Sequence, residues 1–163
     1  MQLVLDNIRS CYNVGAILRT AEGFGVERVI LSGYTPRVND ANLLPHLREK
    51  LDREIHKTAL GAEDMLEIIS CDDIRAELLR LRGEGFTIVG LENNILEKTI
   101  EIGKYKGAPN SKIVLVLGEE VHGINPELYD LIDTFVEIPM RGQKESFNVS
   151  VAAGIAMYEL VDL

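Results

Sequence analysis

Apolar residues recur along this chain in blocks whose period switches between helical and extended. From Val14 to Phe24 they fall at positions 14, 17, 18, 21 and 24, the spacing of one helix face, so the pattern predicts a helix there. Asn13 stands where a side-chain N-cap is wanted, and Gly25 where a helix stops. Val29-Ile30-Leu31 follows as a short buried strand closed by Ser32-Gly33. Asp72 to Arg82 reads as a helix opened by an aspartate cap and ended by Gly83. Phe86 to Leu91 and Lys112 to Leu117 are apolar runs of the kind that strands buried on both faces show. Asn125-Pro126 opens a short helix running to Ile132, with proline at its first position. Phe135 to Ile138 is a further strand, and Asn148 to Val161 a closing helix. Strands and helices alternate with no repeat, low-complexity segment or linker between them. The expectation is one α/β domain over residues 1–163 with a mostly parallel sheet.

Composition narrows the class. With 46% hydrophobic and 26% charged residues, the chain has the make-up of a folded globular domain. No apolar run approaches the roughly 18 residues of a membrane span. The start, Met1 to Asp6, lacks the basic region and cleavage site of a signal peptide. Cys11 and Cys71 form neither a CxxC pair nor a disulfide framework. A reduced, cytoplasmic protein without metal or membrane association is expected. The net charge of −9 is unlike the basic footprint of a nucleic-acid binder, although a local patch can oppose a global charge. Between Arg37 and Lys57 the balance reverses: Arg37, Arg48, Lys50, Arg53 and Lys57 outnumber Asp40, Glu49, Asp52 and Glu54. That segment reads either as such a patch or as a solvated mixed-charge face.

Chemistry concentrates in three stretches. In Asn13-Val14-Gly15-Ala16-Ile17-Leu18-Arg19-Thr20-Ala21, the apolar stripe faces the core and Arg19 points away from it among small residues. Such surroundings admit a backbone or a phosphate, though an ordinary surface arginine has the same pattern. From Leu115 to Pro126 a buried strand runs into the Gly-bounded turn Gly118-Glu119-Glu120-Val121-His122-Gly123 and then a capped helix. That is where α/β proteins offer backbone groups to ligands, but the turn lacks the Lys-Ser/Thr of a Walker phosphate loop. From Ile138 to Ala153 a strand ends in Pro139-Met140, then a polar loop, then a helix opening at Ser146 or Asn148. No G-x-G-x-x-G follows a strand, which argues against a dinucleotide enzyme.

Taken together the three stretches closely resemble the SpoU/TrmH family of SPOUT methyltransferases. The family's N-x-G-x-x-x-R-T-A is matched from Asn13 to Ala21, its G-x-E-x-x-G-[IL] from Gly118 to Ile124, and its I-P-M-x-G…S-[LF]-N-V-S-V-A-A from Ile138 to Ala153. The resemblance covers nearly the whole chain. It implies a parallel α/β sheet whose C-terminal part threads a deep trefoil knot, against the general avoidance of knots. It implies S-adenosylmethionine as cofactor, held by Leu91, Gly118, Ile138, Met140, Ser146 and Phe147, with Phe147 replacing the commoner leucine. It implies a homodimer with the active site at the subunit interface, and methylation of a ribose 2′-hydroxyl in structured RNA. Larger relatives carry an RNA-binding domain ahead of the first motif, and none is expected here. Among RNAs, tRNA is favoured over ribosomal RNA.

The catalytic set implied is Arg19, Asn13, Glu120, Ser146 and Asn148. Guanidinium stays protonated, so Arg19 is expected to stabilise the developing alkoxide and grip the neighbouring phosphate. Glu120 either takes the hydroxyl proton or orients Arg19. His122 is read as a loop residue, since the family does not fix histidine there, and Cys11 has no paired base. The competing expectation is a catalytically idle RNA-binding or scaffold protein on the same fold.

Overall fold

The alternation of side chains along buried strands decides which element covers which face of the sheet. The computed structural model describes residues 1–93, 95, 99–108 and 111–161. Its strands are β1 (Gln2–Asp6), β2 (Arg28–Ser32), β3 (Glu67–Cys71), β4 (Thr87–Leu91), β5 (Thr99–Glu101), β6 (Ile113–Leu117) and β7 (Thr134–Glu137). They form one sheet in the order β3-β2-β1-β6-β4-β7-β5, with every described pairing parallel. The helices are α1 (Cys11–Gly23), α2 (Pro45–Ala59), α3 (Ile74–Gly83) and α4 (Val149–Leu160).

Leu3, Leu5, Val29, Leu31, Leu115 and Leu117 point to one face, where they pack with α1, Ile55 and Ala59 of α2, and Ala153, Ala156 and Met157 of α4. Their in-between neighbours Val4, Ile30, Ile88, Val114 and Val116 point to the other, under Leu78 and Leu81 of α3. Each fully buried aliphatic side chain of this kind contributes about 1.5–3 kcal/mol. The mostly parallel α/β architecture expected from the alternation is present.

Local chemistry moves several boundaries. The first helix starts earlier than its apolar stripe: Ser10, not Asn13, is its N-cap, and its hydroxyl accepts the Asn13 N–H at 3.3 Å. Gly25 adopts the left-handed backbone (φ +67) expected of a terminator. Asp73 caps α3, which runs through Gly83. Beyond Asn125 there is only a 3-10 turn over Pro126–Leu128, shorter than the expected helix to Ile132. Most of the segment with the reversed charge balance forms helix α2, with Arg37 and Asp40 in the loop before it. The helix docks on α1 so closely that a Cβ on Gly15 would lie 2.2 Å from the Ile55 carbonyl oxygen. Gly15 of the first motif therefore serves helix packing. Arg37 is tied to Asp72 at 2.6 Å, and Lys57 lies over the Tyr12 ring at 5.8 Å, so neither stands free.

The registers Leu5↔Leu117, Leu91↔Leu117 and Leu91↔Val136 level the carboxyl ends of β1, β6, β4 and β7. The loops after these four strands therefore meet on one edge of the sheet. Ligands bind at this edge in open α/β sheets.

Candidate active site

A cleft of about 370 Å³ opens on that edge. Leu91, Leu117 and Ile138 supply apolar wall at the strand ends; the loop 118–123 forms one side and residues 145–149 the other. Five of the six expected cofactor residues line it: Leu91, Gly118, Ile138, Ser146 and Phe147. Met140 does not, and lies half-buried in the loop after β7.

The shape of the 118–123 loop rests on two glycines. Glu119 and Gly123 exchange backbone hydrogen bonds at 3.0 and 2.8 Å, closing the turn on itself. A Cβ on Gly118 would lie 2.2 Å from the Gly123 carbonyl carbon, so only glycine allows the strand to enter this turn. Gly123 has φ +72, and a Cβ there would strike the Glu92 carboxylate. That carboxylate accepts the Ile124 N–H and the Asn93 N–H, each at 2.9 Å, and so staples the loop after β4 to the loop after β6.

Three expected catalytic residues form one hydrogen-bonded relay. Asn13 Nδ2 donates to Glu120 Oε1 at 3.0 Å, and Asn148 Nδ2 donates to Asn13 Oδ1 at 3.2 Å. Asn148 Oδ1 accepts from the Ser150 N–H at 2.9 Å as the N-cap of α4. The amide orientations follow from the ends of the relay. Glu120, an acceptor, requires the Asn13 NH2; the Ser150 N–H, a donor, requires the Asn148 oxygen; the remaining amide groups then face each other correctly. Glu120 Oε2 also accepts the Arg9 N–H at 3.2 Å. Burial pushes the Glu120 carboxyl up, but the Asn13 amide and the Arg9 and Ser10 N–H groups outweigh it and hold the group below its ordinary 4.5. Glu120 is therefore an ionised, hydrogen-bonded acceptor, an arrangement that favours positioning over proton abstraction.

Ser146 lines the cleft with an exposed side chain. Arg19 is exposed on α1, outside the cleft lining, and its side chain makes no hydrogen bond or ion pair among the described residues. The relay thus unites Asn13, Glu120 and Asn148, while Ser146 stands beside it and Arg19 apart.

The sequence did not point to Glu92 or Asn93, which sit after β4 in no recognised motif. It also passed over Arg9 and Tyr34, which flank the first motif from the loops after β1 and β2. Glu119 gathers these last two: His122 Nδ1 lies 2.7 Å from it, an Arg9 guanidinium nitrogen 3.9 Å, and the Tyr34 hydroxyl faces it. His122 holds the Glu119 carboxyl down against the opposing effect of burial, with Tyr34 and Arg9 adding to it. Among the described residues no group of three His, Cys, Asp or Glu could hold a metal ion, and no helix is long and apolar enough to cross a membrane.

Comparison with known proteins agrees with the motifs. The model of the SpoU rRNA Methylase family matches residues 1–158. The 23S rRNA (guanosine-2′-O-)-methyltransferase RlmB of Xylella fastidiosa is 33% identical over 159 residues, covering 98% of this chain and 57% of that protein. The RlmB of Acinetobacter baylyi is 34% identical over 158 residues, covering 96% and 57%. This chain thus spans a little over half the length of the curated relatives it matches. A TrmH/SpoU tRNA modifying enzyme from A. aeolicus superposes with a TM-score of 0.77 at 26% identity, over 98% of this chain and 72% of that one. An AdoMet-bound rRNA methyltransferase from Sinorhizobium meliloti has the same fold, with a TM-score of 0.79 at 24% identity over 97% and 54%. The chain belongs to the SpoU rRNA Methylase family.

Proposed function

We propose that this chain is an S-adenosylmethionine-dependent ribose 2′-O-methyltransferase acting on ribosomal RNA. The observation that carries the reading is the relay Glu120–Asn13–Asn148, which joins all three motifs beside the cleft. The expected preference for tRNA finds no support in the curated relatives named above, which act on 23S rRNA. The rival, an idle RNA-binding protein on this fold, draws only on the net charge of −9.

The cleft suits the cofactor. Its volume lies in the range of small-molecule sites, about 300–1,000 Å³. Apolar wall from Leu91, Ile138 and the exposed Phe147 suits an adenine ring, and Glu119, Glu120 and Glu145 suit the cationic part of the molecule. Leu91, Gly118, Ile138, Ser146 and Phe147 would hold it, with Met140 in a supporting place behind. Bound there, S-adenosylmethionine supplies an already activated methyl group, so no metal is assigned. As the methyl passes from sulfur to the ribose oxygen and S-adenosylhomocysteine leaves, the hydroxyl proton is released to solvent, while Arg19 stabilises the alkoxide character that develops and grips the adjacent phosphate. Glu120 and Asn13 orient the ribose and Arg19, and Ser146 and Asn148 complete the hydrogen-bonding shell.

The homodimer belongs to the same reading. Val151, Ile155 and Tyr158 line one side of α4 at helical spacing, with Val151 and Tyr158 exposed. Thr20, next to Arg19, packs beside Gly154 of the same helix. A second copy seated on α4 would thus bring an Arg19 toward the opposite cleft. The trefoil knot is part of the proposal too, and the placing of β7 between β4 and β5 is the kind of late insertion it requires. A cytoplasmic location, a single catalytic domain and independence of metal complete it.

The test is incubation with methyl-labelled cofactor and unmodified 23S rRNA, followed by mapping of the product. Label on one ribose supports the proposal. Cofactor binding without transfer to 23S rRNA, or to total RNA supplied in parallel, overturns it in favour of the idle protein.

A further inference from the structure

We propose that Tyr34, with Arg9 and His122 around Glu119, forms a stacking platform for an unpaired RNA base next to the methylated nucleotide. The proposal rests on the functional reading above and deepens it by assigning an RNA contact that none of the three motifs' catalytic or cofactor residues supplies.

The platform arises where the loops after β1, β2 and β6 converge. Leu5 pairs with Leu31 and with Leu117, so these loops leave the sheet at one level. The Tyr34 N–H donates to Asn7 Oδ1 at 3.2 Å, which fixes the backbone beneath the ring. A Cβ on Gly33 would collide with that same Asn7 side chain, so the turn holds Tyr34 in place. Tyr34 nevertheless stays 54% exposed. A large aromatic residue on a backbone braced in this way, with half its surface open, is poorly explained by the core.

Its neighbours are those an RNA strand needs. Arg9 has 66% of its side chain exposed and His122 has 78%, while both approach Glu119. Glu119 lines the cleft, so the platform lies directly beside the proposed cofactor site. The pairing also matters for charge. Glu120 and Glu145 bring negative charge to the same cleft, which opposes a phosphate backbone. Arg9 offsets Glu119, so this sector of the cleft joins a cation to an exposed aromatic residue. Sequence-specific RNA binding uses unstacked bases laid on aromatic rings and guanidinium planes. Such stacking tolerates any base but requires a ring.

The test measures binding of fluorescein-labelled, unmodified 23S rRNA transcript and of S-adenosylhomocysteine, together with steady-state methylation. Tyr34→Ala should weaken RNA binding about tenfold or more and raise KM for RNA, while S-adenosylhomocysteine affinity stays within twofold. Tyr34→Phe should match wild type, because it keeps the ring and removes only the hydroxyl facing Glu119. Loss of RNA binding in Tyr34→Phe as well would make Tyr34 a support for Glu119 and overturn the platform. Wild-type RNA affinity in Tyr34→Ala and in Arg9→Ala would overturn it too, as would a changed sedimentation coefficient in Tyr34→Ala with RNA affinity intact, the mark of a protein contact. A wild-type chain that binds S-adenosylhomocysteine but methylates no RNA overturns the functional reading itself, and this assignment with it.

Discussion

Asn13 and Asn148 lie 135 residues apart in sequence and share a hydrogen bond of 3.2 Å. Each amide does two things. Asn13 donates to Glu120 while accepting from Asn148, and Asn148 caps α4 while donating to Asn13. The asparagine that resembled a helix cap is therefore free for the site because Ser10 caps α1 instead, and the asparagine that does cap a helix has its second amide group left for the site.

This division of labour can be separated. Asn148→Ser keeps an N-cap oxygen but loses the NH2 that reaches Asn13, so its melting temperature should stay close to wild type. Its single-turnover methyl-transfer rate should nevertheless fall about tenfold. Asn148→Ala should add a loss of stability of about 1 kcal/mol. Equal rates in wild type and Asn148→Ser would reduce Asn148 to a cap.

Glu120 makes a prediction about acid. Its carboxyl is held below the ordinary 4.5, so the charged form contributes to stability at and above that pH. The contribution is lost as pH falls through the lowered value. Asn13→Ala should be slightly less stable than wild type near neutral pH, by about 1 kcal/mol or less for so exposed a contact. The two melting curves should converge in acid, once Glu120 is protonated. A difference that widens in acid has the opposite sign and would remove the Asn13–Glu120 bond as its origin.

Arg19 is expected to act in the transition state. Arg19→Ala should slow single-turnover transfer by about 10²-fold or more and leave S-adenosylhomocysteine affinity unchanged. Arg19→Lys should recover little, since an ammonium lacks the bidentate fork. Mixing Arg19→Ala with Gly118→Ala should restore about a quarter of the wild-type site activity if each Arg19 serves the other subunit's cleft, because mixed dimers then own one intact site. No recovery on mixing would place Arg19 at its own cleft.

Gly118→Ala tests the turn that walls the cleft. The added methyl would overlap the Gly123 backbone, which the Glu119 pairing holds in place, so the loop must move. Strain of this kind costs about 1–3 kcal/mol. Titration calorimetry should show S-adenosylhomocysteine affinity falling at least about tenfold. Gly142→Ala, in a position with no heavy atom within 4 Å of the added carbon, should bind as wild type does. Equal affinity in both variants would mean that the turn is not the cofactor wall.

Local pattern in the sequence was enough for the α/β class, the central strands β4 and β6, the closing helix, and the three motifs that carry the family. It could not place helix α2, whose charged surface hides a narrow apolar face reduced to Ile55 and Ala59 among its fully buried residues. It missed β1, a short apolar run at the chain start, and the edge strands β3 and β5, whose apolar residues are few and only partly buried and which are strands because a neighbour offers hydrogen bonds. It named Asn13, Glu120 and Asn148 without their relay, since which amide meets which carboxylate depends on three loops brought level by strand register. Glu92, Arg9 and Tyr34 were invisible for the same reason: each works through a partner far along the chain. Residue type and spacing along one element are local properties and can be read from sequence. Which side chains share a cleft is decided by the order in which parallel strands enter the sheet, and only the tertiary structure holds that information.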